Sequence, residues 1–277
     1  MADRASLRSI DIRPGLTPQA SLVALANDLQ QKTLVFERAR DSRCVFACSY
    51  ARMTRVLAAS LPRADFVDPA WVAQLSLVFA EYYMRATREY DSGTLVRGAW
   101  STVFKAGSDG RTSVLEDLLL GMTAHIVNDL PLALCDVGLI NARGESRIGD
   151  YQALNDVLGW AIGDIQDEVS RRYDSLLGFL DHCAESYDEI ITDLGLRVAR
   201  ATAWYNAQRL LHSPTRPAAL AAISRSPEIT MRELLDPPLL SARFALRTAR
   251  CVSRTSRRWP AAIPQIAGAK AFRAIAP

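Results

Sequence analysis

The stretch SVLEDLLLGMTAHIVNDLPLAL, residues 113–134, decides the fold. It is apolar on nearly every side, so as a helix it has no face to offer to water and must run through the middle of a bundle. Ser113 opens it, and Pro131 is expected to kink or end it, because a helical proline lacks an N–H donor and crowds the carbonyl four residues back. Its few polar residues must then face inward or be shielded.

The flanking sequence supplies partners of the same kind. Residues 17–31 carry apolar residues at helical spacing behind a Thr17–Pro18 start. A second periodic run covers residues 43–61 and stops at Pro62, and a third begins with Asp68 as cap and Pro69 as first residue and continues to about residue 90. A short helix is expected over residues 97–106 between Gly93 and the Gly107 and Gly110 turn. After the polar loop NARGESRIGD, helices are expected over residues 150–173 and 174–211, the latter with a break near Gly195, and shorter ones beyond. No β-run competes, and there is no internal repeat and no glycine-rich phosphate loop, which argues against nucleotide-binding α/β folds. The expected fold is an all-α, single-domain irregular helical bundle over residues 1–236, with residues 237–277 as a basic helical tail packed on it or extending from it.

Hydrophobic residues make up 49% of the chain and charged residues 23%, the composition of a chain that folds on its own. The apolar runs are interrupted by charge before the ~20 residues of a membrane span, and the N-terminus lacks a signal-peptide core. A cytoplasmic location is the expectation. The five cysteines include no CxxC pair and suggest neither a disulfide framework nor a zinc knuckle.

His125 and Asp129 are four apart, so on a helix they project from one face and could together hold a divalent metal, a water or a polar ligand. Glu81 and Asp156 also stand inside apolar runs, with Asn155 beside the latter, and buried carboxylates need partners. Arg197 and Arg200 fall near one stripe with Trp204, where either arginine could neutralise a carboxylate or clamp an anion, and Trp204 could floor a pocket. Tyr50 joins Asn155, Arg197 and Trp204 as a ligand-contacting candidate. Taken singly, an Asp or His in an apolar helix is more often a satisfied core group. The combination is what raises a functional reading.

Weaker features read as structural. His182, Cys183 and Glu185 lie in a charged run that suggests a solvated helix face, Cys44 and Cys48 at helical spacing suggest core packing, and His212 suggests a helix end. No Gly-x-Ser-x-Gly elbow supports covalent hydrolysis. After Asp236 there are eight basic residues and no acidic ones, leaving the preceding body net acidic although the whole chain carries +3. Arg243, Arg247, Arg250, Arg254 and Arg257 recur every three or four residues, so a tail over residues 243–258 could meet a membrane surface or a protein partner, or pack on the body; nucleic acid is not an expected partner.

Six stretches together resemble the bacterial and fungal family of unknown function DUF5995: CVFACSYARMTR (44–55), FVDPAWVAQLSLVFAEYY (66–83), AWSTVF (99–104), VLEDLLLGMTAHIVNDLPLAL (114–134), DYQALNDVL (150–158) and RVARATAWYNAQRL (197–210). The resemblance implies a helical domain whose most recognisable segment is residues 124–134, and implies no reaction.

The expected function is an enzyme acting on a largely apolar small molecule between the helices, a step in specialised or lipid metabolism. His125 serves as base or metal ligand, Asp129 as its partner, and Glu81, Asp156 and Arg200 complete the polar end. A metal-dependent hydrolase or oxidase is one form of this. A metal-independent cyclase or isomerase with Trp160 and Trp204 shaping the cavity is another, and a non-catalytic carrier of small molecules or lipids is the alternative outside catalysis.

Overall fold

The computed structural model describes residues 15–96, 98–110, 112–174 and 193–260, and among them every named element is a helix; the only β feature is an isolated antiparallel bridge between Ile140 and Ser146. The helices are α1 (Pro18–Arg38), α2 (Cys44–Ser60), α3 (Pro69–Asp91), α4 (Ala99–Ser108), α5 (Val114–Thr123), α6 (Leu130–Val137), α7 (Ile148–Tyr173), α8 (Asp193–Leu211), α9 (Arg216–Leu235) and α10 (Leu240–Ser256).

The expected starts are built as the residue types require. Thr17 accepts a hydrogen bond from the N–H of Ala20 ahead of Pro18, and Asp68 accepts one from Trp71 ahead of Pro69. At the head of α5, Ser113 and Glu116 form a reciprocal capping box. α1 runs on to Arg38, past the expected end at residue 31, because Thr33, Phe36 and Glu37 also bury a face. α8 is described from Asp193 and is helical at Gly195, while the expected helix before it, residues 175–192, lies outside the described residues. The segment carrying His182, Cys183 and Glu185 lies outside the described residues.

Pro131 does not end the central helix, which continues to Val137. Instead, residues Ala124–Asp129 widen into a single π-helical turn between α5 and α6, and the N–H of Leu130 reaches five residues back to the carbonyl of His125. This accommodates a proline that cannot donate to the carbonyl of Val127. The joined stretch Val114–Val137 is long and apolar enough, by length and composition, to cross a membrane, but 67% of the window that qualifies is buried among the other helices, as a bundle's central helix must be. The expectation that no stretch reaches that length fails because Glu116, Asp117, Asp129 and Asp136, which do interrupt it, are spaced widely enough for an 18-residue window to hold no more than two charged residues.

The basic tail splits its arginines. Arg250 of α10 binds the buried Glu116, Arg257 just past its end binds the buried Asp117, and the Ser253 hydroxyl accepts from the N–H of Val114. Arg247 and Arg254 remain exposed, as do Leu240 and Phe244.

Candidate functional site

The π turn sets the site. His125 and Asp129 both lie in it, and the wider turn still brings them together, His125 Nδ1 lying 3.0 Å from Asp129 Oδ2. A π turn inside an α-helix is common at functional positions. From α4, the indole N–H of Trp100 donates to the same Oδ2 at 2.8 Å, while the side-chain amide of Asn128 donates to Oδ1 at 2.8 Å. Asp129 is thus an acceptor held from three sides, and a carboxylate acceptor places the imidazole proton on Nδ1.

Aromatic rings enclose the imidazole. Phe79 of α3 stacks on it with ring centroids 3.5 Å apart and planes 7° from parallel, and Tyr50 of α2 meets it at 4.7 Å. Phe46 approaches edge-on at 5.7 Å. His125 Nε2 is buried with no hydrogen-bond partner among the described residues, and so is the Tyr83 hydroxyl. Burial holds the His125 imidazole below its ordinary pKa, against the opposing pull of Asp129, so the ring is neutral at neutral pH. Burial, with Asp129 nearby, pushes the Tyr50 phenol well up and keeps it protonated.

Beside this ring lies a partly open cavity of about 150 Å3, lined by α2, α3, α5, the π turn, α6, α7 and α8. Its wall is almost wholly apolar, with Met53, Leu118 and Leu158 typical of it. Tyr50, His125 and Arg200 are among the few polar side chains that line it. Arg200 is buried, donates from Nε to Asn155 Oδ1 at 2.6 Å and from Nη2 to the carbonyl of Tyr151 at 3.0 Å, and lies 4.3 Å from the Tyr151 ring centroid. Burial lowers its pKa, with Tyr151 opposing.

The candidates therefore separate. His125, Asp129, Arg200, Asn155 and Tyr50 belong to the cavity or to the groups that hold its wall. Glu81 does not: it pairs with Arg88 near the surface. Asp156 does not either, since it is mostly exposed and pairs with Arg197 Nη2 at 2.8 Å, which removes Arg197 as well. Trp204 packs against Tyr151 in the core, centroids 5.0 Å apart, and does not line the cavity, and Trp160 is 72% exposed.

The described residues do not support the metal reading. His125 Nδ1 and Asp129 are turned on each other, and among the described residues no group of three His, Cys, Asp or Glu side chains comes together. The groups missed from sequence are Trp100, Phe79 and Tyr83. Phe79 and Tyr83 stand four apart, on the helical stripe that Glu81 cannot share.

A family model described as "Family of unknown function (DUF5995)" matches residues 23–237. No curated protein and no solved structure matches the chain.

Proposed function

The chain belongs to that family of unknown function, DUF5995, and since membership brings no reaction with it, we propose from the site alone that the protein is a metal-independent enzyme that moves a proton on a largely apolar small molecule held in the cavity. The observation that carries this is the bare Nε2 of His125, buried and unpartnered, on a ring whose other nitrogen is fixed by Asp129. An orphan polar atom of this kind calls for a partner, and a bound ligand is one.

In this reading His125 is the general base. Nε2 accepts a proton from a carbon or hydroxyl of the ligand, and Asp129, set by Trp100 and Asn128, stabilises the imidazolium that forms. Return of the proton to a second atom of the same molecule completes an isomerisation or cyclisation with no oxidant and no added water. The apolar wall excludes water that would compete for the proton, and Tyr50, kept protonated, offers a hydrogen bond to a ligand oxygen. Lipid-derived and specialised metabolites have the matching polarity.

A carrier is the second reading, favoured by how few polar groups the wall presents. One experiment separates them. A solvent-extracted metabolite fraction is incubated in D2O with wild type, His125→Gln or Asp129→Asn and followed by mass spectrometry. The enzyme reading predicts compounds that gain deuterium, or change retention at constant formula, with wild type alone. Identical extracts after all three incubations reject it in favour of the carrier.

A further inference from the structure

Among the described residues Arg200 is the one arginine that is buried, and it differs from several half-buried arginines that pair with carboxylates. Arg172 binds Glu37, Arg257 binds Asp117, Arg250 binds Glu116, and Arg43 binds Asp41 and Asp91. One helical turn before Arg200, Arg197 takes Asp156 at the surface. Arg200, at 5% exposure the most enclosed of these side chains, has only neutral acceptors: the Asn155 amide and the Tyr151 carbonyl, with no carboxylate paired to it among the described residues. Its Nη1 finds no acceptor there either.

Burying a cation without its counter-ion is costly, and the usual outcome is a partner or a replaced residue. Here the side chain is instead held in place by Asn155 and Tyr151 and, among the described residues, left without a counter-charge in the wall of an apolar cavity. We infer that the cavity's ligand supplies the missing charge: a carboxylic acid with an apolar body, its carboxylate seated on Arg200 while the body fills the space bounded by Leu158 and Phe79. A single guanidinium with two donors already committed balances a monoanion, which favours a carboxylate over a phosphate dianion. A cavity of about 150 Å3 suits a compact body, since one of that size accepts a benzene ring. This rests on the reading of the cavity as a ligand site but not on His125 acting as a base.

The test is an equilibrium one on the full-length protein. Isothermal titration compares octanoate with octan-1-ol, and 3-phenylpropanoate with 3-phenylpropan-1-ol, on wild type, Arg200→Gln, Arg200→Lys and His125→Gln. The expected result is that wild type binds at least one of the acids about tenfold or more tighter than its alcohol, the value of a charge-assisted hydrogen bond. That preference disappears in Arg200→Gln and persists in Arg200→Lys and His125→Gln. If Arg200→Gln does not fold, the acid-to-alcohol contrast in wild type and its survival in Arg200→Lys decide. Equal binding of acid and alcohol, no binding of any of the four, or a preference unchanged in folded Arg200→Gln overturns the inference. Loss of turnover without loss of this preference would bear on His125 alone.

Discussion

Asp129 Oδ2 receives two ring N–H groups at once, from Trp100 at 2.8 Å and from His125 at 3.0 Å, so the carboxylate is fixed to α4 as firmly as it fixes the imidazole. Asp129→Asn replaces an acceptor-only group with an amide and releases the histidine tautomer. Turnover is expected to fall by about 10^3-fold or more, as when an orienting carboxylate of a catalytic histidine is neutralised. The unfolding midpoint in urea should report a folded protein. A variant with wild-type turnover would remove Asp129 from the chemistry.

His125 makes stability depend on pH in a definite direction. Its folded pKa lies below the unfolded value of about 6.5, so below that pH the unfolded chain takes up a proton that the folded ring refuses, and stability is lost as the pH falls toward the folded pKa. Asp117 acts oppositely: burial raises it from 3.8 to about 6, so between those values the folded chain protonates first and gains stability on acidification. His125→Gln leaves Asp117 in place and isolates the first effect. The stability of wild type relative to this variant should decrease from pH 7.5 to pH 5.5 in urea titrations; a constant difference contradicts the burial of a neutral imidazole.

Gly121 is a packing requirement. A Cβ there would stand 2.6 Å from the ring of Phe46, the residue edge-on to His125. Gly121→Ala should therefore destabilise by about 1–3 kcal/mol despite the better helix propensity of alanine. A thermal melt unchanged or raised would show that Phe46 yields freely.

The tail contributes to the fold through particular arginines. Arg250→Met leaves Glu116, with its side chain 3% exposed, without its cation, and should cost about 3 kcal/mol. Arg247→Gln, at an exposed position on the same helix, should stay within about 0.5 kcal/mol of wild type. Equal effects of the two substitutions would mean that α10 does not dock as described.

Helix existence and the principal caps were legible because they depend on local chemistry: Thr17–Pro18, Asp68–Pro69 and Ser113 each mark a start that the structure uses. The consequence of Pro131 was not, since relief by a π turn depends on packing around residues 124–129 and not on the proline alone. His125, Asp129 and Arg200 were legible as polar groups in apolar helices. Glu81 and Asp156 were misassigned because burial within a run says nothing about direction. Phe79 and Tyr83 take the inward stripe of α3 and turn Glu81 outward, and in α7 Asn155 takes the inward position and leaves Asp156 to Arg197. That Arg200, the inner neighbour of Arg197, meets no carboxylate among the described residues is a property of two helices in register, invisible in either alone.

The central claim is that His125 is a neutral base with Nε2 free, and long-range 1H–15N NMR of the histidine rings at pH 7 tests it most directly, with His125→Gln assigning the signals. The result predicted is an Nδ1–H tautomer with an unprotonated Nε2, converted toward the opposite tautomer or an averaged ring in Asp129→Asn. An Nε2–H tautomer or an imidazolium in the wild-type protein at that pH would contradict it.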